Sequence, residues 1–102
     1  MSLIKEVNSA ELEKMLEQGE DVVLIDVRED HEVVHGMIPG AKHIPLNQIP
    51  EAIEKLDKGE EYVMVCRSGA RSMRAAEYMK QYDLKVINLA GGMLEWDGEI
   101  VS

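Results

Sequence analysis

The sequence predicts an α/β domain in which helices cover both faces of a mainly parallel central sheet. Short, continuous apolar runs alternate along the chain with segments that have the spacing of amphipathic helices. Continuous apolar runs are typical of strands that are buried on both faces of a parallel sheet. In addition, charged or reactive residues follow directly after two of these runs, and open parallel sheets bind ligands beyond the carboxyl ends of their strands.

Composition limits the number of domains and the classes of partner. With 102 residues the chain has room for one small core, so we expect a single domain over residues 1–102. The formal net charge of −9 argues against nucleic acid or an anionic membrane surface as a partner. One cysteine cannot form an internal disulfide, and neither a leader-like segment nor a long apolar run is seen, which predicts a cytoplasmic protein. The three histidines lack the spacing of metal ligands, and we expect neither a metal nor a cofactor.

The first half of the chain predicts three strands and two helices. Asn8 and Glu11 have the spacing of a capping box, which marks the start of a helix that runs to about Gln18. A continuous apolar strand over 22–25 follows, and it ends at the charged residues Asp26 and Arg28. The remaining predicted elements are a strand over 3–7, a short helix over 30–35, a turn over 36–41 and a short strand over 41–44.

The second half predicts a strand, a loop and a helix around the cysteine. An amphipathic helix is predicted over 49–56, with Pro50 in its first turn. An apolar strand over 62–66 ends on Cys66, and a helix over 72–80 follows the loop. The last predicted elements are a strand over 84–89, a close turn at Gly91 and Gly92, and a short helix over 93–96 in which Trp96 caps the core.

The loop from Cys66 to Ser72 has the features of a nucleophilic site. A helix N-terminus offers unpaired backbone N–H groups and a partial positive charge, so the loop can direct several amides at one anionic atom. Such surroundings lower the pKa of a cysteine from about 8.5 to roughly 3.5–7.5. Arg67 and Arg71 add positive charge, and three of the four arginines of the chain lie in or beside this loop. We therefore predict a reactive thiolate at Cys66.

A plainer interpretation is that Cys66 is a small apolar residue at the end of a buried strand. An inert strand end, however, has no need for a glycine and two arginines within six residues. The composition of the loop therefore favours the functional interpretation.

The heptapeptide Cys-Arg-Ser-Gly-Ala-Arg-Ser at 66–72 resembles the active-site loop of rhodanese-type sulfurtransferases. The likeness covers nearly the whole chain and implies a single rhodanese-like domain over 1–102. It is carried further by residues 24–29, Glu32, residues 36–41, residues 43–45 and residues 89–92 with Trp96. The chain departs from the family at Val33 and Met37, where an aromatic residue and a histidine are expected. These differences concern packing at the rim of the site, where His35 is a candidate to occupy similar space.

The resemblance implies a two-step sulfur transfer with Cys66 as the catalytic residue. The thiolate takes the outer sulfur of a small anionic donor such as thiosulfate, and a Cys66 persulfide forms. An external acceptor then removes that sulfur, because the chain has no second cysteine. The acceptor would be cyanide, a small thiol or a thiol protein.

The resemblance also implies a role for each residue of the loop. Amides of the loop would stabilise the terminal sulfur, and the guanidinium groups of Arg67 and Arg71 would hold the oxyanion end of the donor. The expected substrate-binding set is Arg67, Ser68, Gly69, Ala70, Arg71 and Ser72.

For Asp26 and Arg28 we favour an ion pair that orders the loops at the sheet edge over a direct part in the chemistry. Asp26 could also orient Arg67. Both residues are expected to support the cysteine loop from behind.

Two other functions stay open from the sequence. Cysteine-based phosphatases and arsenate reductases also place a thiolate and an arginine on an amide-lined loop. In the loop typical of those enzymes, five residues separate the cysteine from the arginine. Here four residues, 67–70, intervene, and a tighter loop suits one sulfur atom better than a phosphate. A persulfide carrier that serves a protein partner is the second alternative, since a carrier would need the same activated thiol.

Overall fold

The computed structural model describes residues 3–102, which form one five-stranded sheet in which all neighbouring strands run parallel. The strands are β1 (Lys5–Val7), β2 (Val22–Asp26), β3 (Lys42–His43), β4 (Glu61–Val65) and β5 (Lys85–Leu89). Their order across the sheet is β1-β5-β4-β2-β3. The predicted α/β class with a mainly parallel sheet is therefore confirmed.

Helices pack on both faces of this sheet. They are α1 (Ser9–Glu17), α2 (Asp30–Val33), α3 (Ile49–Ala52) and α4 (Ala70–Lys80). Successive residues of β4 point to opposite faces, so Val63 packs with Leu12 of α1, whereas Met64 packs with Ala76 of α4. Two apolar clusters result, one on each face, and they explain why the central strands read as continuous apolar runs.

Several element boundaries differ from those that the sequence predicts. The segment predicted as one helix over 49–56 is α3 followed by a 3₁₀ turn at Ile53–Lys55, and the predicted closing helix is a 3₁₀ turn at Gly92–Leu94. Short helices commonly tighten into such turns at their ends. The first strand begins at Lys5 instead of Leu3, and α2 ends at Val33 instead of His35.

The boundary that matters for the site is the start of α4. The helix begins at Ala70, two residues earlier than predicted, because Gly69 adopts a left-handed conformation with a φ of 101°. Such a φ is readily accessible to glycine alone. The first turn of α4 therefore includes the end of the cysteine loop.

Within residues 3–102, no helix combines the length and the apolar content that a membrane crossing needs.

Candidate active site

The candidate site lies at the carboxyl edge of the sheet, where three central strands end. Cys66 follows β4 directly, Asp26 is the last residue of β2, and Leu89 is the last residue of β5. The Cys66 residue is buried, with 0% of its surface exposed. The parallel order of the strands thus brings the cysteine loop beside residues that are distant in sequence.

The Cys66 sulfur accepts three hydrogen bonds from the loop and from the first turn of α4. The Gly69 amide donates to Sγ at 3.0 Å, the Ser72 amide at 3.3 Å and the Ser72 hydroxyl at 3.2 Å. Burial raises the pKa of the Cys66 thiol, but the hydrogen bonds from Ser72 and Gly69 outweigh burial, and the net pKa is lowered. The hydrogen bonds therefore stabilise the thiolate form of Cys66 relative to that of an ordinary cysteine.

The hydroxyl of Ser72 is a donor that the sequence did not single out. The sequence assigned Ser72 to the loop through its backbone amide, whereas the buried side chain also contacts Sγ. The one feature of the sequence that could have indicated this contact is the position of Ser72 in the first turn of α4, three residues after Gly69. Ser72 therefore supplies two of the three hydrogen bonds to the sulfur.

The segment after β5 packs directly against the cysteine loop. The Met93 amide donates to the Cys66 carbonyl at 2.8 Å, and the Leu94 amide donates to the Arg67 carbonyl at 2.9 Å. Gly92 lies so close that a Cβ there would be 2.5 Å from the Cys66 carbonyl oxygen. The close turn predicted at Gly91 and Gly92 is confirmed, and it fixes the backbone on the β4 side of the loop.

Arg71 is held by Glu32 in a two-pronged ion pair. Its Nη1 and Nη2 atoms each lie 2.8 Å from a carboxylate oxygen of Glu32. The hydrogen bond from Arg71 lowers the pKa of Glu32 to about 2, and the same contact raises the pKa of Arg71. Glu32 is among the residues that carry the family resemblance, but the sequence predicts no ion-pair partner for it. The structure thus ties the start of α4 to α2.

Arg67 is in a different situation at the other end of the loop. It is exposed, and in the part of the chain that the structure describes its side chain has neither an ionic partner nor a hydrogen bond. Its guanidinium is therefore available to an anion. The assignment of both arginines to substrate binding stays a prediction, and the two differ in availability.

Asp26 and Arg28 form a buried ion pair behind the loop. Asp26 accepts from Nε of Arg28 at 3.0 Å and from Nη2 at 2.8 Å, and Nη2 also donates to the Gly36 carbonyl at 2.8 Å. Asp26 therefore pairs with Arg28 and not with Arg67. The pair joins the end of β2 to the turn after α2, and its supporting role for the cysteine loop stays a prediction.

An open depression of about 420 Å³ lies beside the loop. Its lining residues are Arg28, His31, Glu32, His35, Arg67, Met93 and Leu94. Arginine and histidine side chains make up most of this lining, although the chain as a whole has a formal charge of −9. This depression suits a small anion, because Arg67 is exposed at its wall. No group of three or more potential metal ligands occurs among residues 3–102.

Comparisons with known proteins agree with this architecture. Residues 8–99 match the family described as rhodanese-like domain. The protein YtwF of Bacillus subtilis, named "Putative sulfurtransferase", is 51% identical over 96 residues, which cover 94% of this chain and 93% of that protein. A crystal structure of a rhodanese-like domain protein from Staphylococcus aureus has a TM-score of 0.88 at 36% identity and covers 94% of each chain.

A further relative has a different name. YrkF of Bacillus subtilis, named "Putative sulfur carrier protein", is 35% identical over 99 residues, which cover 96% of this chain and 54% of that protein. The chain is thus similar to proteins named for sulfur transfer and for sulfur carriage.

Proposed function

Because the chain belongs to the rhodanese-like family, we propose that it is a sulfurtransferase that carries a sulfane sulfur as a persulfide on Cys66. The observation that carries this proposal is the set of three hydrogen-bond donors on Cys66 Sγ. They stabilise the thiolate form of Cys66, which is the nucleophile of the first step.

In the first step the Cys66 thiolate attacks the outer sulfur of a donor such as thiosulfate. A new S–S bond forms as the S–S bond of the donor breaks, and sulfite leaves with the electron pair. The terminal sulfur of the resulting persulfide carries the negative charge. The Gly69 and Ser72 amides contact Cys66 Sγ, and we propose that backbone amides of residues 67–72 hold the terminal sulfur as an oxyanion hole holds an oxygen.

For the donor, we propose that Arg67 is the main cationic contact. It is exposed beside the depression, whereas both terminal nitrogens of Arg71 are bound to Glu32. Arg71 would contribute mainly by fixing the end of the loop, and also through the part of its positive electrostatic field that Glu32 does not cancel. A small anion is thus selected by one free guanidinium.

In the second step an external nucleophile removes the sulfur. Cyanide or a thiolate attacks the terminal sulfur, the persulfide S–S bond breaks, and the Cys66 thiolate is restored. The chain has no second cysteine to attack the persulfide internally. We propose an acceptor of the thiol class, either a small thiol or a thiol protein, in a reducing compartment such as the cytoplasm.

The carrier alternative is favoured by one relative, YrkF, through its name. A carrier would form the same persulfide, but it would take sulfur from a protein donor and turn thiosulfate over slowly. The two alternatives share Cys66 and differ in the donor.

Steady-state formation of thiocyanate from thiosulfate and cyanide tests the enzyme directly. We expect turnover by the wild type and loss of at least a hundredfold in Cys66→Ser, because serine is a far weaker nucleophile at neutral pH. Gln81→Ala, which changes an exposed side chain at the far end of α4, is the control. Turnover by Cys66→Ser would contradict the assignment of the nucleophile. Negligible turnover by the wild type, together with loading of sulfur from a cysteine desulfurase, would select the carrier.

A further inference from the structure

Asn88 is a buried amide in the middle of the apolar sheet. It lies in β5, where its register partners are Glu6 of β1 and Met64 of β4. Only 1% of its surface is exposed. Asparagine is depleted in strands, and a buried polar group is unfavourable unless hydrogen bonds compensate it. The position of Asn88 therefore calls for a specific set of contacts.

The amide nitrogen of Asn88 supplies those contacts. Nδ2 donates to the Gly69 carbonyl at 3.1 Å and to Oε2 of Glu6 at 2.9 Å. Both partners are acceptors, so a rotated amide would place an oxygen against two oxygens, and the orientation of the amide is fixed. The Asn88 Oδ1 atom has no hydrogen-bond partner among the described residues. The side chain is thus placed for its donor, at the expense of its acceptor.

The residue of the cysteine loop that accepts the hydrogen bond from Asn88 is Gly69, which also donates a hydrogen bond to the Cys66 sulfur. The Gly69 amide donates to Cys66 Sγ, and the Gly69 carbonyl accepts from Asn88 and, at 3.2 Å, from the Met73 amide. Gly69 has a φ of 101°, and a Cβ at this position would lie 3.2 Å from the Gly91 nitrogen. Two donors on one carbonyl restrict rotation of this glycine, which is otherwise flexible. The Gly69 N–H and the Gly69 carbonyl belong to successive peptide units, which are linked by the φ and ψ angles of Gly69.

We propose that Asn88 is a positioning residue that holds Gly69 so that the Gly69 N–H points at Cys66 Sγ. Its side chain touches neither the sulfur nor a substrate, and it acts through one backbone residue. This role rests on the thiolate of the proposed function, but it does not require that Cys66 transfers sulfur.

The pKa of the Cys66 thiol is the direct readout. It is measured as the pH dependence of alkylation by iodoacetamide, a neutral reagent that needs no sulfur donor. Asn88→Leu and Asn88→Ala both remove the donor without adding charge. We expect the thiol pKa to rise in both variants by about half a unit to one unit, because one of three hydrogen bonds to the thiolate is weakened. At a pH below the pKa, alkylation then slows by about three- to tenfold.

Two control variants separate positioning from general destabilisation and from the loss of an asparagine side chain elsewhere. Ile87→Val shortens the adjacent buried side chain on the opposite face of β5 and should leave the thiol pKa unchanged. Asn47→Ala makes the same substitution as Asn88→Ala at an exposed position and should also leave it unchanged. An unchanged pKa in folded Asn88 variants would overturn the proposal. So would an equal rise in Ile87→Val.

A second pair of variants decides the question if the Asn88 variants do not fold. Glu6 is exposed, and its side chain anchors the other hydrogen of the Asn88 amide. Glu6→Gln keeps an acceptor oxygen, and Glu6→Ala removes it, while both lose the same charge. A higher thiol pKa in Glu6→Ala than in Glu6→Gln supports positioning through Asn88, and equal values overturn it. If the pKa shifts occur but Cys66 takes up no sulfur, the proposed function fails and the role of Asn88 stands.

Discussion

The two ends of the cysteine loop carry the same residue type in opposite situations. At the β4 end, Arg67 is exposed and unpaired within the described part of the chain, and at the α4 end Arg71 is clamped by Glu32. Their formal charges are identical, but the carboxylate of Glu32 neutralises one of them. The number of arginines in a loop therefore does not give the charge that a substrate meets. One end of the loop is available for binding, and the other holds the loop in place.

We expect mutations at the two ends of the loop to differ most in how strongly they reduce the use of an anionic donor. Arg67→Ala should lower kcat/KM for thiosulfate by about tenfold, mainly through KM, since one charge-assisted contact is worth about 1.5 kcal/mol or more. The measurement is steady-state kinetics at low and high ionic strength. Arg74→Ala is the control, because Arg74 is exposed on α4 and its loss changes the net charge equally. Equal losses in both variants would mean that overall charge, and not Arg67, attracts the donor.

At the other end of the loop we expect a loss of stability instead. Arg71→Ala should lower the free energy of unfolding by about 1 to 2 kcal/mol, because it leaves the partly buried carboxylate of Glu32 without its partner. Its KM for thiosulfate should change less than that of Arg67→Ala. Urea denaturation measures the stability, with Glu77→Gln, a change at an exposed carboxylate, as the control. If Arg71→Ala is fully stable but has the larger KM, the roles of the two arginines are reversed.

A smaller effect is expected from the pH dependence of the same ion pair. The pKa of Glu32 is lowered in the folded protein from 4.5 to about 2, so the unfolded chain binds a proton first as the pH falls. The stabilisation is therefore fully present above about pH 4.5 and is lost as the pH falls towards 2. Wild type should exceed Glu32→Gln in stability by about 1 kcal/mol at pH 7, and the difference should shrink across this window. A difference that is constant from pH 7 to pH 2 would contradict the ion pair as its source.

Local sequence was sufficient for the elements of the fold whose signal is local. The apolar runs at 22–25 and 62–66 predict the central strands because burial on both faces leaves no polar alternation. The capping box at Asn8 predicts the start of α1, and the structure confirms both of its hydrogen bonds. Each of these patterns involves only residues that are a few positions apart in the sequence.

Contacts between distant segments could not be predicted in the same way. The partners Arg71 and Glu32 are 39 positions apart, and their meeting depends on where α2 is placed at the sheet edge. The contact of Asn88 with Gly69 depends on the adjacency of β5 and the cysteine loop, and an asparagine in a strand gives no signal of it. The start of α4 at Ala70 was missed because the left-handed glycine before it reads as part of a loop. The sequence singles out Cys66 as the candidate nucleophile, but it does not predict the distant residues that contact its loop.

Intact mass spectrometry shows whether Cys66 carries a sulfur atom covalently. Wild type and Cys66→Ser are weighed before and after incubation with thiosulfate, and again after treatment with a thiol reductant. We predict that only the wild type gains the mass of about one sulfur atom, and that the thiol removes it, as expected of a covalent intermediate on a nucleophilic thiolate. No gain in the wild type with either thiosulfate or a desulfurase donor, or the same gain in Cys66→Ser, would contradict a covalent sulfur on Cys66.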